Sequence, residues 1–376
     1  MRQPPINRPF LPKREGVADL VFVEGVMGLF DGPPGGGGST ADLAAHLGLP
    51  VILVIDAARQ AQSAGALARG FAAHREDINL AGVICNRVAS PRHERLLREG
   101  LARVDIPILG MLPPHSKLEL HSRHLGLIQA RERDDLKPLI ESSAEWIRKH
   151  LDLAMLEGIA DAANLARKID RHSAMPLVGC PPLGQRMAVA SDDAFAFAYP
   201  HLLADWQDQG AELLTFSPLA GEGIPQDADA IFLPGGYPEL HAGAIAANSA
   251  FMAGLKTASN DAKPIYGECG GFMVLGEGLV DANGQRHQMA GLLSLETSFE
   301  KRRLSLGYRE VTLATGSPLG GEGQKLRGHE FHYATILSQK GVPFARFADA
   351  AGQDLGDAGL VAGSVAGSFF HLVDAN

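Results

Sequence analysis

The stretch Pro264-Ile265-Tyr266-Gly267-Glu268-Cys269-Gly270-Gly271-Phe272-Met273-Val274-Leu275-Gly276 leaves its part of the chain little choice of fold. An apolar run of strand type stops at Gly267-Glu268-Cys269-Gly270-Gly271, and a helical pattern follows. Gly-x-Cys-x-Gly at such a junction is the cysteine form of a nucleophile elbow, where a strand turns sharply into a helix. The turn is so tight that small residues must flank the nucleophile. It is expected to lift the thiol into solvent, while the helix N-terminus favours a thiolate and offers N–H donors to an oxyanion. A free cysteine is otherwise most often a small buried hydrophobe, and the glycines on both sides weigh against that for Cys269.

A second strand-to-turn signal lies upstream in Ala230-Ile231-Phe232-Leu233-Pro234-Gly235-Gly236-Tyr237-Pro238-Glu239. A strand ending in Pro-Gly-Gly presents bare backbone amides, which suits an oxyanion hole about one strand away from the elbow. Taken alone, Pro-Gly-Gly is an ordinary turn; one helix-length segment before the elbow, it gains weight. Gly236 and Gly270 are therefore the expected oxyanion donors.

Elsewhere short apolar runs alternate with helical segments. Residues 17–24, 50–55, 80–85 and 106–111 are expected strands, with helices near 40–47, 63–73 and 93–104 and a largely helical stretch over 136–171. A new α/β pattern begins at Arg186 and continues through 211–216, 230–233 and 263–266. Buried strands alternating with helices imply open, mainly parallel sheets, with ligands at the carboxyl ends of the strands. The expected domains are 1–172 and 186–376, joined by a Pro/Gly-rich linker over 173–185.

Of the 376 residues, 45% are hydrophobic and 20% charged, values of a soluble globular protein long enough for two domains. A net charge of −9 without a basic stripe excludes a nucleic-acid partner. The run 92–98 reads as a solvated helix face, and Lys301-Arg302-Arg303 as a solvated loop or a contact for an anionic substrate. No stretch approaches a membrane span, and the N-terminus has no apolar leader region. Three widely spaced cysteines, Cys85, Cys180 and Cys269, point to the cytoplasm. His329 and His332, with Glu330 between them, read as orienting or substrate-contacting residues in preference to metal ligands.

Gly235-Gly236-Tyr237-Pro238-Glu239, the elbow, and Leu326-Arg327-Gly328-His329-Glu330-Phe331-His332-Tyr333 together resemble the class I glutamine amidotransferase domain of cobyrinate (hydrogenobyrinate) a,c-diamide synthases. Val23-Glu24-Gly25-Val26-Met27-Gly28-Leu29-Phe30-Asp31-Gly32 is similar to a signature of the ATP-dependent synthetase domain of that cobalamin-pathway family. The resemblance covers nearly the whole chain. It implies that Cys269 attacks the side-chain amide of glutamine and releases ammonia, with His371 as its base and His329 as the competing choice. Many class I amidotransferases carry a glutamate two residues after that histidine, where this chain has Val373.

In the other half the resemblance assigns Glu24 to Mg²⁺ and, less firmly, Asp31 to metal or substrate. Asn86 has an amide able to read an adenine edge, or is a turn residue. ATP and Mg²⁺ are the implied cofactors, and glutamine and a corrinoid carboxylate (cobyrinic or hydrogenobyrinic acid) the substrates. A homodimer is one option for the assembly. The chain departs from the family in having no Gly-Lys-Ser/Thr phosphate loop. Gly35-Gly36-Gly37-Gly38-Ser39-Thr40 has no lysine, and is expected to be a flexible loop with Ser39 capping the next helix. The expectation is an incomplete P-loop-type synthetase domain that starts past its phosphate loop, followed by an amidotransferase domain. The alternatives are a remnant with glutaminase or tetrapyrrole-binding function alone, and a stand-alone cysteine hydrolase.

Overall fold

Short apolar strands alternating with helices set the layering of the first half. The computed structural model describes residues 20–34, 36–118, 122–123, 126–127, 130–163 and 179–375. The chain divides into two units between Leu177 and Val178.

The first unit runs α1 (Thr40–Leu47), β1 (Val51–Asp56), α2 (Ser63–His74), β2 (Leu80–Asn86), α3 (Pro91–Leu101), β3 (Ile108–Leu112), α4 (Leu136–His150) and α5 (Leu153–Ala163). Its strands form a parallel sheet in the order β1-β2-β3. Ile55, Val83, Cys85 and Met111 from the strands pack with Ala64, Ala68, Leu97 and Leu101 from α2 and α3. Ser39 caps α1 as expected: its Oγ accepts the Asp42 N–H at 3.1 Å, and the Asp42 carboxylate accepts the Ser39 N–H at 2.9 Å.

The strand expected over 17–24 does not form over its described part, 20–24. Leu20, Val21, Phe22 and Val23 are exposed, and β1, at the sheet edge, pairs with β2 alone. An apolar run becomes a strand only where a neighbour accepts its backbone hydrogen bonds. Residues 164–171 of the expected helical stretch, residues 173–178 of the expected linker, and Gly35 lie outside the described residues.

The second unit continues with β4 (Arg186–Ala190), α6 (Pro200–Asp208), β5 (Glu212–Phe216), β6 (Ala230–Leu233), α7 (Ala242–Ala247), α8 (Ser249–Asn260), β7 (Ile265–Glu268) and α9 (Gly270–Leu275). After these come β8 (Gly278–Val280), β9 (Arg286–Gln288), β10 (Leu295–Ser298), β11 (Ser305–Leu313), β12 (Lys325–His332), β13 (Thr335–Gln339), β14 (Ala345–Asp349), β15 (Asp354–Ala358) and β16 (Leu360–Ala362). Then come β17 (Val365–Ser368) and β18 (Phe370–Ala375). The main sheet has the order β16-β17-β7-β6-β4-β5, parallel except for β16. Ala188, Leu233, Ile265 and Phe272 belong to one core cluster, and Met187, Phe232, Tyr266 and Phe370 to another.

Beside the expected parallel sheet stands a five-stranded antiparallel sheet, β15-β14-β11-β12-β18. Phe369 alone separates β17 of the first sheet from β18 of the second. That single-residue crossing brings His371 beside the end of β7, because Ser368 of β17 pairs in register with Glu268.

Candidate active site

Cys269 sits where β7 ends and α9 begins, with a φ of 46°, a conformation few residues other than glycine adopt. Two backbone bonds hold it there. The Cys269 N–H donates to Ser368 O at 2.8 Å, and the Gly271 N–H donates to Pro234 O at 3.2 Å. A Cβ on Gly271 would fall 2.0 Å from Leu233 O, so the helix can follow the elbow only with glycine there. Such strain persists where the surroundings over-determine it, as they do at functional sites.

One expectation is corrected. The thiol is not lifted into solvent: Cys269 is 2% exposed. The reason is the second sheet, whose β18 lays His371 against the Pro234–Gly235–Gly236 turn and closes the elbow over. Burial pushes the thiol pKa up, and the nearby Glu239 carboxylate adds to this. The Gly270 N–H pulls the other way, without prevailing.

His371 meets the cysteine across Gly235. The point where a Cβ on Gly235 would sit is 2.5 Å from His371 Cε1 and 3.5 Å from Cys269 Cβ. Glycine is required because any side chain would occupy the space of the imidazole. His371 is buried, and its pKa falls to about 3, through burial first and then the neighbouring His329 and His332. His329, the competing base, is the cross-strand partner of His371 and stacks on it, with ring centroids 4.9 Å apart at 6°. Its Nε2 is hydrogen-bonded to the Tyr199 hydroxyl. His332 stacks on Phe369, and burial lowers its pKa to about 4.

Gly236 and Gly270 lie together: a Cβ on Gly270 would be 3.1 Å from Gly236 N. The Gly270 N–H lowers the thiol pKa, against the larger effect of burial. The Gly236 N–H donates to no other group among the described residues.

Sequence reasoning passed over Glu268, the x of Gly-x-Cys-x-Gly. It is 1% exposed, accepts the Leu372 N–H at 2.9 Å, and its second oxygen is 3.8 Å from His371 Nδ1. Burial raises its pKa to about 8. The available signal was a carboxylate inside an otherwise apolar strand end, which has to find a polar partner.

In the first unit Glu24 and Asp31 are exposed, and Asn86 is half-buried at the carboxyl end of β2. The Gly25–Gly28 turn packs on the start of α1, with the Asp31 N–H donating to Gly28 O at 3.0 Å and the Ala41 N–H to Leu29 O at 2.8 Å. Asn86 Oδ1 accepts the Arg87 N–H at 2.9 Å. Among the described residues no hydrogen bond or ion pair joins Glu24, Asp31 and Asn86 to one another, and no three His, Cys, Asp or Glu side chains cluster as a metal site. No helix among them is long and apolar enough to cross a membrane.

Residues 186–376 match the CobB/CobQ-like glutamine amidotransferase domain, and residues 10–122 match an AAA domain. The hydrogenobyrinate a,c-diamide synthase of Brucella anthropi is 50% identical over 361 residues, covering 96% of this chain and 81% of that protein. The chain belongs to the hydrogenobyrinate a,c-diamide synthase family. The family's Rhodobacter capsulatus member is likewise 50% identical, over 95% of this chain and 81% of its own. Among solved structures, PurLQS from Thermotoga maritima aligns with a TM-score of 0.37 at 19% identity, over 50% of this chain and 86% of that one. Within the synthase family, the elbow and His371 fall in the amidotransferase domain, and Glu24, Asp31 and Asn86 in the AAA-matching segment.

Proposed function

We propose that this chain converts the a and c carboxylates of hydrogenobyrinic acid, or of its cobalt-bearing counterpart cobyrinic acid, to amides, with ammonia drawn from glutamine. The observation that carries this reading is the strained elbow at Cys269, closed by His371, in a chain half identical to named synthases along nearly its full length.

The burial of both groups favours a neutral thiol beside a neutral imidazole at rest. When glutamine enters, His371 takes the Sγ proton and sulfur attacks the side-chain amide carbon. The oxygen of the tetrahedral intermediate gains negative charge where the Gly236 and Gly270 N–H groups converge. His371 returns its proton to the departing ammonia, and water then cleaves the glutamyl thioester to glutamate. Because Cys269 and His371 are buried, charge separation between them is costly at rest and forms as the thiol attacks.

ATP and Mg²⁺, when bound, would supply an acyl phosphate from the corrinoid carboxylate and offset its phosphoryl charge. Mg²⁺ needs one or two protein carboxylates, with phosphate and water completing its shell. Exposed Glu24 and Asp31 fit that demand, and Asn86 offers an amide to adenine. The domains this reading uses are 1–172 and 186–376, and its compartment is the cytoplasm.

The test is mass spectrometry of hydrogenobyrinic and cobyrinic acids incubated with the chain, ATP, Mg²⁺ and glutamine. Diamide should form, vanish in Cys269→Ser with glutamine, and return when that variant is fed free ammonia. Glutamine hydrolysis through Cys269 without any diamide would limit the function to the amidotransferase half.

A further inference from the structure

His371 needs a partner that decides which ring nitrogen carries its proton. The position two residues on, Val373, has no carboxylate to offer. One reaches the ring from another strand. Glu268 ends β7 directly before the nucleophile, its Oε1 anchored by the Leu372 N–H at 2.9 Å and its Oε2 3.8 Å from His371 Nδ1. Both side chains are buried, and His371 Nδ1 has no hydrogen-bond partner among the described residues. We infer that Glu268 is the positioning carboxylate of the site: in its ionised form it accepts a hydrogen bond from His371 Nδ1–H, leaving the Nε2 lone pair for the Cys269 thiol. The inference rests on the amidotransferase reading above.

The contact is longer than a hydrogen bond. Such contacts commonly tighten once substrate is bound, and a displacement of less than the width of an atom closes this one. The anchor explains why the carboxylate can sit next to its own nucleophile without turning toward it. Leu372 follows His371 in the chain, so its N–H fixes Glu268 and imidazole to the same strand.

The test is Glu268→Gln in the full chain, read as glutamate release from glutamine. The Leu372 N–H claims the amide oxygen, which turns the amide N–H₂ toward Nδ1 and forces the imidazole proton onto Nε2. We expect kcat to fall by about 10²–10⁴-fold, the range for a base held in the wrong tautomer, with KM within about twofold. A kcat within about threefold of wild type overturns the inference, since tautomer control is then not needed. Absence of glutaminase activity in the wild type would instead overturn the reading beneath it. Should the variant fail to fold, ¹⁵N-histidine NMR of the wild type decides: a proton on His371 Nδ1 is the expected result, and one on Nε2 overturns the assignment.

Discussion

A methyl group added at Gly235 would fall 2.5 Å from His371 Cε1 and 3.5 Å from Cys269 Cβ. Neither neighbour can retreat, because both are packed in the interior. Gly235→Ala is therefore expected to cut glutaminase turnover by at least about 10²-fold, the usual effect of displacing a catalytic group by an ångström. It should also lower stability by about 1–3 kcal/mol through overpacking. Glutamate release and calorimetry check both, and a wild-type rate would remove His371 from the mechanism. In the sequence, Gly235 reads as a bare amide in a Pro-Gly-Gly turn. Its stronger constraint, the imidazole, comes from a residue far along the chain that no local pattern connects to it.

Among the elements, α2 and α3 meet through glycines. A Cβ on Gly65 would lie 2.1 Å from Gly100 O, and one on Gly100 would lie 2.4 Å from Gln62 O. Gly100→Ala should force the helices apart and cost about 1–3 kcal/mol, seen as a lower melting temperature of the intact chain. An unchanged melting temperature would mean that the crossing is looser than its geometry indicates. The strands here were legible because each is a short apolar run; β2, expected over 80–85, spans Leu80–Asn86. The run over 17–24 has the same composition, yet its described part is not a strand. Hydropathy states that a segment can be buried but does not supply the neighbour that buries it. For the five-stranded antiparallel sheet the difficulty is reversed. Its burial alternates, so the apolar runs that mark a parallel strand are missing.

For the whole molecule, the buried ionisable groups of the amidotransferase unit set opposite dependences on pH. His371 and His332 hold pKa values of about 3 and about 4, below the ordinary 6.5. The unfolded chain protonates them first, so the stability they permit is present above 6.5 and is lost as pH falls through those values. Glu268 is raised from 4.5 to about 8. Its contribution is present below 4.5 and is lost as pH rises through about 8. Melting temperatures measured from pH 4 to pH 9 should decline at both ends. Glu268→Gln should flatten the alkaline decline and leave the acid one, where lowered surface carboxylates such as Asp42 and Asp281 also contribute. An alkaline decline of equal size in that variant would place its origin elsewhere.

The sequence by itself determined the elbow, the alternation of strand and helix, the two-part organisation, and the family, because each rests on neighbours in the chain. Tight turns demand small residues, and buried strands demand apolar ones. Tertiary structure decided what closes over Cys269 and how the thiol is held in its resting state. It also decided which carboxylate faces His371. Glu268 and Leu372 are bonded across 104 residues of sequence, and a contact of that kind exists only once two sheets have formed and a single residue has carried the chain between them.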